Sequence, residues 1–165
     1  MPLHAGLVAD ANVLIDYTST DESVLTLASR HLGMIMVPSP VLAEVDGLDV
    51  MGCERLELVV VDPSLDQLLE AGAERGRLSF EDRICLIVAR DAGWGCVTND
   101  RRLRAMCESA SVSVMWSLDL LVALVGVGQM PGDDAIAIGA DLHRISPRHI
   151  TRDILDTLER QIAAL

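Results

Sequence analysis

The stretch LVADANVLID, residues 7–16, decides the fold that we predict for this chain. It opens with a short apolar run that ends at Asp10, and after Asn12 it returns to the apolar spacing of a helix. The same order, an apolar run followed by a helical segment, recurs to about residue 125. Strands separated by helices predict a parallel sheet with helices on both faces, a three-layer α/β/α sandwich.

Five apolar runs are the predicted strands, and the segments between them supply the helices. Strands are expected at 7–9, 34–37, 58–61, 96–98 and 112–116. Helices are expected at 11–31 with a break near 18–21, and at 41–45, 64–75, 79–91, 101–108 and 118–125. Sheets of this kind bind ligands beyond the carboxyl ends of their strands, so the residues that follow each strand are of most interest.

The chain is predicted to continue beyond the sheet as two more helices. The glycine-rich segment 126–132 predicts a linker. We therefore expect a domain at 1–128 and a helical extension at 129–165 that packs on it. Ser146 followed by Pro147 predicts the start of the last helix, because serine is a good N-cap and proline fits the first helical position.

The composition limits the functions that the chain can have. The net charge is −12, and all thirteen basic residues are arginines. A broad basic surface for nucleic acid is therefore excluded, and any such binding must be local or assisted by metal. The absence of lysine argues against a phosphate-accepting receiver domain, a haloacid-dehalogenase-like phosphatase and a P-loop nucleotidase.

The compartment predicted from the sequence is the cytoplasm. The four cysteines contain no C-x-x-C pair, which favours free thiols in a reducing environment. No segment has the length and hydropathy of a membrane span. The first residues lack the positive region and apolar stretch of a secretory signal.

Four acidic residues end strands or lie in nearby helical turns: Asp10, Glu44, Asp82 and Asp100. Asp10 and Asp100 follow the first and fourth strands, whereas Glu44 is expected on the helix after the second. If the first and fourth strands are neighbours, these acids converge, and a carboxylate cluster stays ionised only when cations offset its charge. Mg²⁺ or Mn²⁺ suits such oxygen ligands and could activate a water to attack a phosphodiester.

Each of these acids also has a structural alternative. Asp82 follows Ser79 with the spacing of a capping box, and Asp10 or Asp100 could cap the helix that follows it. Glu44 could be an exposed helical residue. The shared position of the acids at one end of the sheet favours a common site.

Taken in order, four segments of the chain resemble motifs of the PIN domain family. They are residues 7–16, 38–45, 78–82 and the T-N-D sequence at 98–100. The resemblance covers about residues 5–125. It implies the strand order 3-2-1-4-5 and Mg²⁺- or Mn²⁺-dependent cleavage of RNA by an endoribonuclease.

The resemblance also implies roles for particular residues and partners. The implied catalytic, metal-binding residues are Asp10, Glu44, Asp82 and Asp100. Asn12 and Thr98 would orient ligands or water. Many bacterial and archaeal members are VapC-type toxins that pair with an antitoxin, so an antitoxin and a homodimer are implied here, although the C-terminal helices depart from a standard VapC chain.

Arg101, Arg102 and Arg104 directly follow the T-N-D sequence. They could hold RNA phosphates beside the metal, or they could simply balance the charge of an acidic protein. Asp119, at the start of the helix after the fifth strand, is an open candidate for the site. Both tryptophans are expected to pack rather than to stack on bases.

The alternative function is a PIN fold with weak nuclease activity that serves as a binding or scaffold module in RNA processing. The net charge of −12 supports this alternative. The presence of all four acids favours the nuclease.

Overall fold

The computed structural model describes residues 3–73 and 75–165, and this part of the chain contains one five-stranded parallel sheet. Its strand order is β3-β2-β1-β4-β5. The strands are β1 Gly6–Ala9, β2 Met34–Pro38, β3 Val59–Val61, β4 Gly95–Val97 and β5 Val114–Met115. The predicted order 3-2-1-4-5 is confirmed, and it places β1 between β2 and β4.

Helices lie on both sides of this sheet, as the α/β/α prediction requires. They are α1 Ala11–Ser19, α2 Ser23–His31, α3 Ser39–Leu42, α4 Val50–Arg55, α5 Leu65–Ala73, α6 Phe80–Ala92, α7 Arg101–Ser109, α8 Ser117–Gly126, α9 Gly132–Ile145 and α10 Arg152–Ala163. The predicted helix 64–75 extends over Glu74, which lies outside the described residues. No helix in the described part of the chain is long and apolar enough to cross a membrane.

The core forms around the central strand. Leu7, Val8 and Ala9 on β1 are all buried, because helices cover the sheet on both faces and the strand shows no apolar–polar alternation. The last two helices join the same hydrophobic cluster. Gly139 allows them to approach closely, since a Cβ atom there would clash with Leu158 of α10.

The start of the last helix differs from the prediction. Helix α10 begins at Arg152, and Thr151 is its N-cap, with the hydroxyl accepting the Ile154 N–H at 3.4 Å. Ser146 instead donates its hydroxyl to Asp16 of α1 at 3.2 Å. The prediction was wrong because a contact with a distant helix engages the serine that local spacing had assigned to a cap.

The segment after β2 also differs from the prediction. Helix α3 ends at Leu42, so Glu44, which was predicted to lie on a helix, lies in the turn that follows it. The Glu44 N–H donates to the Val41 carbonyl at 3.0 Å, a three-residue span that closes a turn and not an α-helix. Gly47 then adopts a φ of 79°, and the chain continues into α4, a helix that was not predicted.

Candidate active site at the carboxyl end of the sheet

Asp10 lies at the carboxyl end of the central strand and is held by two hydrogen bonds. The Val13 N–H donates to its Oδ1 at 2.9 Å, which caps α1, and the Thr98 hydroxyl donates to its Oδ2. Only 3% of Asp10 is exposed. Both oxygens of this carboxylate therefore have fixed positions, and the capping role of Asp10 coexists with a place in the acidic site.

Thr98 connects Asp10 to the next predicted acid. It directly follows β4, which pairs with β1, and it is fully buried. Its Oγ1 accepts the Asp100 N–H at 3.0 Å while its hydroxyl donates to Asp10. Asp100 in turn caps α7 by accepting the Leu103 N–H at 2.8 Å. Neighbouring strands thus bring Asp10 and Asp100 together through one threonine.

The pKa of Asp10 reports on this crowding. The pKa of Asp10 is raised from its ordinary value of 3.8 to about 6, mainly by burial and to a smaller extent by the charges of Asp82 and Asp100. The hydrogen bonds from Thr98 and Val13 oppose part of that rise. Three predicted acids therefore lie near enough to one another to repel when they are ionised.

Asp82 enters the site from the first turn of α6. Ser79 caps this helix, and its hydroxyl accepts the Asp82 N–H at 3.1 Å, as the capping-box spacing predicted. Partial burial raises the pKa of Asp82, and the charges of Asp100 and Glu81 add to the rise, whereas hydrogen bonds with Ser79 oppose it. The start of α6 therefore presents its acid toward the acids of β1 and β4.

Glu44 forms the open side of the site together with a residue that was not predicted, Glu81. Glu44 is exposed, yet its pKa is raised by desolvation, by the charges of Glu81 and Asp82, and by a hydrogen bond with Glu81. Glu81 was not predicted as a site residue, because an acid in the first turn of a helix is also expected for its favourable interaction with the helix dipole.

The charges of the five acids act on one another in a connected series: Asp82 and Asp100 act on Asp10, Asp100 and Glu81 act on Asp82, and Glu81 and Asp82 act on Glu44. Oxygen donors of this kind are the ligands that Mg²⁺ and Mn²⁺ prefer. No group of three His, Cys, Asp or Glu side chains within residues 3–73 and 75–165 is arranged as a metal site. Mg²⁺ commonly binds one or two carboxylates and keeps several waters, so the donor set fits a hydrated divalent ion.

The predicted supporting residue Asn12 lies beside the acids, in a small cleft of about 40 Å³ that Asp100 also lines. Asp16, one helical turn after Asn12 on α1, lines the same cleft and is buried. Ser146 and His149, from the segment before α10, complete it. The segment between α9 and α10 therefore contributes side chains to the immediate surroundings of the site.

Asn99, the middle residue of the T-N-D sequence, joins β4 to the start of α8. Its side-chain amide donates to the Ser117 hydroxyl at 2.9 Å, and its Oδ1 accepts the Ser117 N–H at 3.0 Å. The Ser117 carbonyl also accepts the buried Tyr17 hydroxyl at 2.6 Å. These bonds fix the start of α8 next to the acidic residues.

The three candidate RNA-binding residues, Arg101, Arg102 and Arg104, all lie on α7. Arg101 and Arg104 line a groove between α7, α8 and α10, and Arg102 does not; Arg101 and Arg102 are both exposed to solvent. The Oδ2 of Asp119 accepts the Trp116 N–H at 2.8 Å, so this acid helps to cap α8. Trp116 was expected to pack, but 37% of it is exposed.

Comparison with known proteins identifies the fold. By sequence, the chain matches no protein-family model and no curated protein. By structure, it is similar to a PilT N-terminus domain protein from the hyperthermophilic archaeon Sulfolobus solfataricus P2, with a TM-score of 0.54 and 12% sequence identity. The match covers 72% of this chain and 92% of the archaeal one.

This chain has the PIN fold. The sheet order and the structural match agree on that point. At 12% identity the likeness concerns the fold alone and assigns no activity. Function must therefore be argued from the acidic residues themselves.

Proposed function

We propose that the protein is a Mg²⁺- or Mn²⁺-dependent endoribonuclease that hydrolyses RNA phosphodiesters. Its catalytic acids would be Asp10, Asp82 and Asp100, with Glu44 and Glu81 on the open side of the site. One observation carries the proposal: Asp10 is buried and fixed by two hydrogen bonds, yet the charges of Asp82 and Asp100 act on it. Burial and the neighbouring charges make the ionised carboxylates less favourable, and a bound cation would offset this. The clustering of these acids therefore supports a cationic ligand.

The residues around Asp10 have distinct tasks in this proposal. Val13 and Thr98 hold the carboxylate in one orientation, so that little reorganisation is needed when the substrate binds. A bound divalent ion would offset the negative charge of the acids and lower the pKa of a bound water.

The direct test is degradation of a mixed RNA pool in Mn²⁺ or Mg²⁺. Wild type is expected to cleave the RNA internally, Asp10→Asn is expected to lose this activity, and excess EDTA is expected to abolish it. Asp46→Asn is the matched control, because Asp46 is an exposed acid two residues beyond Glu44. Equal cleavage by wild type and Asp10→Asn, or no cleavage by wild type in either metal, would remove the catalytic proposal.

A binding or scaffold role is the second candidate, and two observations favour it. The net charge is −12, and no three acids among the described residues are arranged as metal ligands. A protein of this class would retain RNA in a filter-binding assay and leave it intact in Mn²⁺. An antitoxin partner, a homodimer and a cytoplasmic location stay predictions from the sequence.

A further inference from the structure

A groove lies next to the acidic site, between α7, the start of α8 and α10. Its volume is about 570 Å³, within the range of about 300–1,000 Å³ that is typical of small-molecule sites. We refer to it as the extension groove, because Ile154, Leu158 and Gln161 of α10 form one of its walls. The PIN sheet alone would leave this side open.

One wall of the extension groove carries a stacked pair of side chains. The Cζ atom of Arg104 lies 3.6 Å from the centroid of the Trp116 ring, and a guanidinium N–H of Arg104 donates to the Thr98 carbonyl at 3.4 Å. The guanidinium is thus held over the face of the indole ring, at the distance of a cation–π contact. A planar guanidinium or an aromatic ring of this kind offers a surface on which a nucleic acid base stacks.

The two arginines of the groove have no carboxylate partner among the described residues. Elsewhere in the described part of the chain, five arginines form ion pairs with acidic side chains: Arg30, Arg55, Arg90, Arg144 and Arg152. Arg101 and Arg104 form no ion pair with a described residue, although acids outnumber bases in the chain by twelve. Of the two acids that line the groove, Glu108 and Asp119, the latter already accepts the Trp116 N–H. Free guanidinium groups in such a setting suit a phosphate.

The extension groove is continuous with the acidic site. Asn99 and His149 line the groove and also the small cleft that contains Asp100 and Asn12. A chain that leaves the acids along this path therefore enters a groove lined by His149, Arg101 and Arg104. The groove thus offers guanidinium groups for a phosphate and an aromatic ring for a base, the two parts of one nucleotide.

We propose that the extension groove binds one nucleotide of a single-stranded RNA substrate, adjacent to the phosphodiester at the acids. The base stacks on the Arg104–Trp116 pair, and its phosphate accepts hydrogen bonds from Arg101 and His149. The inference rests on the proposed function, because RNA is the ligand that both sites would share. It goes further by assigning substrate recognition to the C-terminal helices, which close the groove.

The test measures RNA binding without cleavage. Asp10→Asn serves as the background, and the probe is a fluorescein-labelled single-stranded RNA of ten nucleotides in Mn²⁺. Arg104→Gln and Trp116→Ala are each expected to raise the Kd about tenfold, the order of loss typical when a base-stacking group is removed. Arg144→Gln is the matched control, because it removes the same charge from an exposed arginine of α9 and should change the Kd less than twofold.

A second measurement separates this inference from the proposed function. Trp94→Phe leaves Trp116 as the one tryptophan, so its fluorescence reports on the groove directly. In excess EDTA, single-stranded RNA is expected to quench it, and inorganic polyphosphate at the same phosphate concentration is expected to quench it far less. Equal quenching by polyphosphate, or none by RNA, overturns the groove proposal.

The two proposals can then fail independently. If wild type cleaves RNA while Arg104→Gln and Trp116→Ala bind and cleave like wild type, the groove proposal is wrong and the nuclease stands. If no metal supports cleavage but RNA quenches Trp116, the nuclease proposal is wrong and the groove is supported as an RNA site.

Discussion

The two sides of the acidic site differ in how firmly the fold holds their carboxylates. Asp10 is buried in the centre of the sheet, and both of its oxygens accept hydrogen bonds from fixed donors. Glu44 is exposed in the turn after α3, and its neighbour is another carboxyl group, that of Glu81. The first arrangement is preorganised by strand pairing, whereas the second can adjust to what binds.

This difference shows which parts of the fold hold each acidic side chain in place. An acid at the end of a central strand inherits its geometry from the pairing of β1 with β4, which Thr98 reinforces. An acid in a turn has only local hydrogen bonds to hold it, such as the one from the Glu44 N–H to Val41. We therefore expect the two sides to respond differently to substitution, to pH and to metal.

The largest expected difference concerns activity. Asp10→Asn should lower the initial rate of RNA cleavage in Mn²⁺ by roughly a hundredfold or more, because it removes a fixed charge from the centre of the site. Glu44→Gln should lower it about tenfold, since Glu81 can replace part of its function. The double variant Glu44→Gln/Glu81→Gln should approach Asp10→Asn. A loss in Glu44→Gln as large as in Asp10→Asn, with no further loss in the double variant, would contradict an adjustable side.

The fixed side of the site was the more predictable one. The apolar run before Asp10, the Ser79 cap before Asp82 and the T-N-D sequence are local patterns, and each predicted its residue's position at the carboxyl end of the sheet. The strand order could not be derived from such patterns and came from the family resemblance. Strand pairing then brought Asp10 and Asp100 together.

The adjustable side and the surroundings of the site could not be predicted, for a physical reason. Glu44 was placed on a helix, but helix α3 ends at Leu42 and three-residue turns follow it directly. Ser146 was assigned to a cap, although its partner is Asp16, 130 positions away in the sequence. Contacts between residues that are distant in the sequence produce no periodic pattern in it. The contact of Ser146 with Asp16 could therefore be found only in the folded structure.

The second expected effect concerns stability without metal. The pKa of Asp10 is raised to about 6 in the folded protein from 3.8, so the folded state disfavours its ionisation. The cost is absent below about pH 4, grows between pH 4 and 6, and reaches on the order of 3 kcal/mol above pH 6. Asp10→Asn should therefore raise the Tm in EDTA by about 5 °C or more at pH 7.5, and hardly at all at pH 4.

Thermal unfolding at both pH values, with Asp46→Asn as the control, checks this prediction. The control removes an acid from the exposed turn near Glu44 and should leave the Tm within about 1 °C of wild type. A lower Tm for Asp10→Asn at pH 7.5 would mean that its two hydrogen bonds outweigh its desolvation.

The third expected effect concerns metal. Mn²⁺ at about thirty times its Kd should stabilise the wild-type protein by about 2 kcal/mol, because the ion binds the folded site. Asp10→Asn should lose this shift, whereas Glu44→Gln should keep a part of it. The measurement is the Tm across a Mn²⁺ titration at pH 7.5. An equal loss of the Mn²⁺-induced Tm shift in both variants would show that the two sides contribute equally to binding the ion.

The smallest expected effect concerns Ser79, the N-cap of α6, which holds Asp82 in the middle of the site. Ser79→Ala removes the acceptor of the Asp82 N–H and should cost about 1 kcal/mol of stability. Ser64→Ala is the matched control, since Ser64 accepts the Gln67 N–H at 3.2 Å at the start of α5. Both variants should lower the Tm by about 3 °C, but only Ser79→Ala should also slow RNA cleavage. Equal cleavage by the two variants would mean that the position of Asp82 does not depend on its cap.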